Sequence, residues 1–371
     1  MEKIVIISPY TRSLINFRGE MIKDIIKLGH KVIALGPDDG FEKEIEKLGA
    51  KYCNYYLKRT NLNPLQEIKS IFSLIKILRE LKPSIVFSYA IKPTIYGSLA
   101  ASLSNIPKIY SMITGLGYTF TGKTLKHQIL QSLLRNLFNF SLKKNRVVFF
   151  QNQDDLKFFQ KMNIVTGNTK TVIINGSGVD IKKYYFSKPI LKPISFLLIS
   201  RLIWDKGIGE YIDAARILKE KYPDVKFKLL GPFDSNPAAV KSCNINEWVK
   251  EGIIDYLGKT DDVRPYISGC SVYVLPSYYR EGTPRSILEA MSMGKPIIST
   301  NAPGCKETVV EGVNGFLVPV KNSIALVKAM ESFILKPGKI TQMGIMSREI
   351  AEEKYDVKKV NKFILEAMDL C

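Results

Sequence analysis

Two stretches of this chain hold residue types and spacings suited to chemistry on a phosphorylated ligand. The first is Ser200-Arg201-Leu202-Ile203-Trp204-Asp205-Lys206-Gly207, which follows an apolar run and precedes a helical pattern. A guanidinium fork and an ammonium point charge match two adjacent phosphoryl groups. The plain alternative is a solvated charged loop. The second is Ser277-Tyr278-Tyr279-Arg280-Glu281-Gly282-Thr283-Pro284, followed by Arg285-Ser286-Ile287-Leu288-Glu289. Thr283 suits an N-cap, Pro284 the first helical position, and Gly282 a close backbone approach. The free amides of such a helix start attract anions. Glu281 and Glu289 stand in the loop and in the second helical turn, placed to accept hydrogen bonds from vicinal hydroxyls of a sugar and a ribose. Alone, such a pair is more often two solvated carboxylates; its setting between strand and helix favours the ligand reading.

Missing motifs narrow the chemistry. Gly115-Leu116-Gly117-Tyr118-Thr119-Phe120 ends in Phe, and Gly176-Ser177-Gly178 leads to Val-Asp, so no G-x-G-x-x-G follows a strand. No G-x-x-x-x-G-K-[ST] is present either, which disfavours a nicotinamide dehydrogenase or a P-loop NTPase. The chain has no Asp-x-Asp to hold a metal–diphosphate. A bound diphosphate must then be neutralised by cations and amides, and no metal or other cofactor is expected. Five scattered cysteines without C-x-x-C fit reduced thiols in a cytosolic protein. Neither His30 nor His127 lies near one of them, which disfavours structural zinc.

The elements that must position these residues alternate strand and helix. Lys3–Ser8, Lys31–Leu35, Ile85–Ser88, Lys108–Ile113, Arg146–Gln151 and Lys170–Ile174 read as strands. Gly19–Leu28, Pro64–Leu81, Tyr96–Leu103 and Leu125–Leu142 read as helices between them. Ile181–Pro193 lacks periodicity and reads as a linker. The alternation then restarts from strand Ile194–Ser200 to helix Ser323–Leu335, including helices Pro284–Met293 and Cys305–Glu311, and ends in a helical segment, Met346–Asp369. The pattern predicts an α/β chain of two doubly wound parallel sheets with a ligand cleft between them. The expected domains are 1–180 and 194–345, joined by linker 181–193. The C-terminal helix, 346–371, is a candidate to return to the first domain.

Charge separates the halves. The chain carries 54 basic and 35 acidic side chains, a net +19, of which +16 falls in residues 1–190. No carboxylate occurs between Glu80 and Asp154, where Lys82, Lys92, Lys108, Lys123, Lys126, Arg135, Lys143, Lys144 and Arg146 all fall. That field favours an anionic partner; the alternative is a lysine-rich composition on solvated faces. A nucleic-acid module would interleave aromatics and arginines on one face, whereas these cations are dispersed and mostly lysine, so no nucleic-acid partner is expected. Apolar runs fall far short of the roughly 20 residues of a spanning helix, and no signal peptide is expected at the N-terminus. The stripe Leu130, Leu133, Leu134, Leu137 and Phe138, flanked by Lys126, Arg135, Lys143 and Lys144, is a candidate to lie at an anionic membrane interface, or else to pack in the core.

Taken together, Glu281-(seven residues)-Glu289 with Gly282 and Pro284, Arg201 with Lys206, and Asn175-Gly176-Ser177-Gly178-Val179-Asp180 resemble the retaining family-4 glycosyltransferases of GT-B fold, over nearly the whole chain. Leu230-Gly231-Pro232-Phe233-Asp234-Ser235-Asn236-Pro237, Tyr256-Leu257-Gly258-Lys259-Thr260-Asp261-Asp262-Val263 and Pro303-Gly304-Cys305-Lys306-Glu307 are similar to bacterial capsule, O-antigen and N-glycan enzymes that extend undecaprenyl-diphosphate-linked sugars, N-acetylgalactosaminyltransferases among them.

By that resemblance Arg201 and Lys206 bind the donor diphosphate, Glu281 the transferred sugar and Glu289 the nucleotide ribose, while Gly282, Thr283 and Pro284 border the donor. The chain departs from many relatives in having no His in Met112-Ile113-Thr114-Gly115-Leu116-Gly117, and in replacing a glycine-rich first loop by Ser8-Pro9-Tyr10-Thr11-Arg12-Ser13-Leu14-Ile15-Asn16-Phe17-Arg18. Asn16, Arg18, Thr114 and Gly115 are therefore candidates for the acceptor side or for structural turns. The resemblance implies a UDP-sugar donor, a polyprenyl-diphosphate-linked sugar acceptor and a cytoplasmic enzyme peripheral on the inner face of the cell membrane. A nucleotide-sugar epimerase of the same fold is the alternative enzyme; the first half supplies poorly the acid–base residues it would need.

Overall fold

Apolar runs bounded by glycine and proline set the strands. In the computed structural model, which describes residues 1–57, 63–117, 125–167, 169–235 and 238–371 and the side chains among them except those of 125–130, they form two parallel sheets. Lys123 and the side chains of Lys126 and Leu130 lie outside the described residues. The chain divides into Met1–Gly178 with Val357–Cys371 (unit 1) and Val179–Asp356 (unit 2).

Unit 1 runs β1 (Lys3–Ile7), α1 (Thr11–Ser13), a π-helical turn Leu14–Arg18, α2 (Gly19–Lys27), β2 (Lys31–Gly36), α3 (Glu42–Lys47), β3 (Lys51–Asn54), α4 (Pro64–Leu81), β4 (Ile85–Tyr89), α5 (Ile91–Leu103), β5 (Lys108–Ile113), α6 (Leu125–Leu142), β6 (Val147–Phe150), α7 (Gln153–Lys161) and β7 (Thr171–Ile173). The sheet order is β3-β2-β1-β4-β5-β6-β7, all parallel. Alternate strand residues serve opposite faces. Val5, Ile7, Val86 and Phe150 pack with α4, α5 and α6, while Ile4, Ile6, Phe87 and Phe149 pack on the other face with α2.

Unit 2 repeats the scheme with β8 (Ser195–Ile199), α8 (Ile208–Lys221), β9 (Lys226–Leu230), α9 (Ser242–Lys250), β10 (Asp255–Tyr256), α10 (Arg264–Ser268), β11 (Val272–Leu275), α11 (Arg285–Ser292), β12 (Ile297–Thr300), β13 (Gly315–Val318), α12 (Ser323–Leu335) and α13 (Gly338–Lys354). Its order is β10-β9-β8-β11-β12-β13, again parallel. The last helix, α14 (Val357–Ala367), belongs to unit 1, where Val360, Ile364, Leu365 and Met368 complete the core beside α2.

Three expectations change, and one alternative is decided. Residues 181–193 are no free linker: Tyr184 is buried, and its carbonyl accepts from Ser292 Oγ at 2.6 Å and Arg348 Nη1 at 3.0 Å. The segment 346–371 is not one helix, although its part from Val357 onward does return to the first unit. Residues up to Lys354 continue α13 in unit 2, and the chain breaks at Tyr355–Asp356 because Val179 bridges Asp356 and gives its amide to the Tyr355 carbonyl at 2.8 Å. Cys305–Glu311 is only a 3-10 turn, Lys306–Thr308. There Thr308 Oγ1 takes the Cys305 carbonyl and Asn314 Oδ1 takes the Val310 amide, backbone groups a helix would need. The stripe on α6 is mostly core: Phe138 is fully buried, and Leu134 and Leu137 pack against the same cluster.

Candidate functional site

Parallel α/β sheets gather ligands beyond the C-terminal strand ends, where the strand order reverses. In unit 2 that point lies between β8 and β11, which pair through Phe196–Val272 and Leu197–Tyr273. The loop after β8 carries Arg201 and Lys206, and the loop after β11 carries Tyr279, Glu281 and Gly282.

Backbone bonds fasten the two loops. The amides of Tyr278 and Tyr279 donate to the Asp205 carbonyl at 2.9 and 2.8 Å. Ser277 Oγ lies 3.3 Å from that carbonyl and 3.2 Å from Glu281 Oε1. Lys206, nearly buried, forms an ion pair with Glu281 through Nζ and Oε1. Arg201 Nη1 donates to Asp234 Oδ2 at 2.7 Å. Both cations share one aromatic ring: Tyr279 has its centroid 5.9 Å from the Arg201 guanidinium carbon and 5.0 Å from Lys206 Nζ. Burial opposes the Arg201 charge, yet the Asp234 carboxylate and Tyr279 together hold the guanidinium above its ordinary pKa.

Two glycines permit the close packing. Gly207 has φ +76°, and a Cβ there would meet the Pro276 carbonyl oxygen at 2.1 Å. Gly304 has φ +85°, and a Cβ there would lie 1.8 Å from the Gly282 oxygen.

Helix α11 continues the site. Pro284 is its N-cap residue, with ψ 115°, and its own ring makes no capping bond. Thr283 is therefore not the cap and Pro284 not the first helical residue, because the extended ψ of Pro284 delays the helix to Arg285. Glu289 faces inward in the second turn, 9% exposed, with Arg285 Nε 3.3 Å from its Oε1 and the Tyr184 phenol among the groups that act on its charge. Burial raises the Glu289 carboxyl above its ordinary range, against the lowering pull of Arg285 and Tyr184. The buried Tyr273 phenol is raised by burial and also by the charges of Glu289 and Glu281, so both carboxylates act on one side chain.

Arg201, Lys206, Glu281 and Gly282 thus come together, with Thr283, Pro284 and Glu289 following on the same loop and helix. Asn16, Arg18, Thr114 and Gly115 belong to unit 1. Arg18 is buried, with Nη2 2.6 Å from Met112 Sδ and its guanidinium carbon 4.9 Å from the Tyr89 ring centroid. Thr114 and Gly115 follow Met112 at the end of β5, Gly115 at φ +104°, and Asn16 is exposed in the π-helical turn. Sequence reasoning assigned no role to Asp234 and Tyr279, although both fall inside quoted motifs. It also missed Arg285 and Tyr184, whose i,i+4 spacing to Glu289 was the readable clue in the first case and absent in the second. Among the described residues, no three His, Cys, Asp or Glu side chains converge to hold a metal ion.

Two family models match the chain: glycosyl transferases group 1 over residues 180–350, and glycosyl transferase 4-like over residues 16–152. The chain is 30% identical over 325 residues to the N,N'-diacetylbacillosaminyl-diphospho-undecaprenol alpha-1,3-N-acetylgalactosaminyltransferase of Campylobacter jejuni, covering 84% of each protein. It is 25% identical over 284 residues to the UDP-Gal:alpha-D-GlcNAc-diphosphoundecaprenol alpha-1,3-galactosyltransferase of Escherichia coli, covering 73% of this chain and 71% of that one. Among solved structures, sucrose-phosphate synthase from Thermosynechococcus elongatus superposes with a TM-score of 0.83 at 16% identity, over 99% of this chain and 98% of the other. That likeness carries the fold, two Rossmann-like domains of GT-B type.

Proposed function

We propose, on the premise that this chain belongs to the group 1 glycosyltransferases, that it moves a hexose or N-acetylhexosamine from a UDP-sugar to an undecaprenyl-diphosphate-linked saccharide, retaining the anomeric configuration. The observation that carries the donor half of this reading is the meeting of Lys206, Glu281 and Arg201 around Tyr279 at the ends of β8 and β11. The two undecaprenol-linked relatives support the acceptor class.

In the reaction the bond from the anomeric carbon to the diphosphate oxygen breaks. A bond from that carbon to an acceptor hydroxyl oxygen forms on the same face. The hydroxyl proton passes to the departing phosphate, so no carboxylate base is required. The barrier is the charge that builds on that phosphate, and preorganised cations and dipoles are the means of lowering it. Arg201 and Lys206 supply the cations, and the amides of Gly282 and Thr283 border the same anion. Glu281 orients the ammonium and accepts from the sugar; Glu289 accepts from the ribose. The diphosphate is neutralised without a metal ion. Asn16, Arg18, Thr114 and Gly115 are assigned to the acceptor side, and the basic unit 1 to an anionic membrane surface on the cytoplasmic side.

The test is turnover of a panel of radiolabelled UDP-sugars against a short polyprenyl-diphosphate saccharide, with and without chelator. Transfer with retained configuration, unchanged by chelator and lost in Lys206→Ala and Glu289→Ala, is the expected result. Near-wild-type rates in both variants would remove the assigned site. RNA captured in filter binding, without sugar transfer, would favour the nucleic-acid alternative.

A further inference from the structure

Helices α4, α5 and α6 cover one face of the unit 1 sheet, and their inward residues, Leu74, Leu78, Ile95, Phe138 and Leu142 among them, form its core. Their outward surface is not the polar one expected of a layer facing water. On α4, Leu65, Ile68 and Phe72 are 77%, 48% and 66% exposed, at a spacing that puts them on one stripe opposite Leu74 and Leu78. Lys76 and Arg79 prolong that stripe, and exposed Lys69 lies beside it. Arg79 Nη2 reaches the carbonyl of Leu103, the exposed last residue of α5, at 3.4 Å. On α6, Leu133 and Phe140 stand two turns apart, 55% and 66% exposed, and exposed Lys143 and Lys144 follow.

Charge on this layer is mainly positive. Its helices contain only two carboxylates. Glu67 is turned onto Lys92, 2.7 Å away, and the Tyr96 hydroxyl, leaving Glu80 as the exposed one. Apolar side chains interleaved with lysine and arginine are what an interfacial surface offers a bilayer: the apolar groups enter the boundary of headgroups and acyl chains, and the cations meet lipid phosphates. No described helix is long and apolar enough to cross a membrane.

We infer that the outward face of α4–α5–α6 docks on an anionic lipid bilayer. This rests on the membrane-surface part of the function proposed above. Of the stripe expected on α6 it keeps Leu133 and drops Leu134, Leu137 and Phe138, which point inward, and it adds the outward Phe140 and Leu65, Ile68 and Phe72 of α4.

Flotation of the full chain with phosphatidylcholine vesicles, with and without phosphatidylglycerol, tests it. Binding only to the anionic vesicles is expected. The double variant Lys76→Gln, Arg79→Gln is expected to weaken it about thirtyfold, and Leu65→Ser, Phe72→Ser to weaken it comparably, while turnover of a water-soluble acceptor stays at the wild-type level. If an α4 variant loses its circular dichroism, Leu133→Ser, Phe140→Ser on α6 makes the same test. Wild-type binding that these variants leave unchanged overturns this face and spares the membrane reading. A wild-type chain that transfers sugar yet floats with neither vesicle overturns the membrane reading and this inference with it, but not the transferase. A dimer that the variants dissociate, without vesicle binding, assigns the face to a second copy and overturns the inference.

Discussion

Lys206 and Glu281, 75 residues apart in sequence, form an ion pair at the ends of two neighbouring strands of unit 2. The pair joins the first cationic loop to the glycine–threonine loop before α11. A nearly buried ammonium with one carboxylate partner is fixed in place before any ligand arrives, which is the condition for electrostatic catalysis.

Lys206→Ala should lower kcat by 10²–10³, about 2.7–4 kcal/mol of barrier, with a smaller change in donor KM. Lys206→Arg should recover part of it. Glu281→Gln should cost less than Lys206→Ala, and the double variant less than the sum of both, since the two residues act as a unit. Steady-state kinetics with saturating acceptor measures this; additive effects would separate the two residues.

Glu289 should give the donor site a pH dependence. Burial raises its folded pKa above the unfolded value, so between those values the native chain holds a proton that the unfolded chain has lost. Stability therefore falls as pH rises through that window and levels off above the raised value. Glu289→Gln should abolish that slope in urea midpoints taken from the ordinary glutamate range upward. Donor KM should move the opposite way, rising as pH falls through the raised value, because protonation removes an acceptor from the ribose.

The glycine contacts should resist any side chain. Gly207→Ala places a methyl against the Pro276 carbonyl at positive φ, and should cost more than about 1 kcal/mol in stability. Gly304→Ala presses on the Gly282 carbonyl instead, and should raise donor KM along with lowering Tm. Thermal melts and donor titrations on the two variants report this.

Adjacent aromatics on α6 should separate by direction. Phe138→Ala empties a core position and should destabilise by roughly 3–5 kcal/mol, while Phe140→Ala, on the outer face, should stay within about 0.5 kcal/mol. Denaturant unfolding distinguishes them; equal losses would contradict the packing of this helix.

Much of the architecture was legible because parallel strands are short, apolar and punctuated. Pro64–Leu81, Lys108–Ile113 and Leu125–Leu142 carry the bounds that the periodicity indicates. What escaped was decided by tertiary contacts. α3 and β3 were unread because β3 is an edge strand, partly exposed and without an apolar run. The break at Tyr355–Asp356 comes from pairing with Val179, distant in sequence and invisible to periodicity. Of the site, Arg201, Lys206, Glu281 and Glu289 were readable from their positions after strands. Asp234 and Tyr184 were not, since a carboxylate that steadies an arginine and a phenol that reaches a glutamate have no spacing of their own.

The membership of α14 in unit 1 sets an order of events during translation. Unit 2 is a single continuous stretch, and its residues leave the ribosome before Val360, Ile364 and Met368, which pack against α2 and whose Met368 carbonyl accepts from Tyr110 at 3.0 Å. Domains usually fold in the order of their synthesis. Here the half made first waits longest for its last apolar layer, and the half made second is the first to have all its parts.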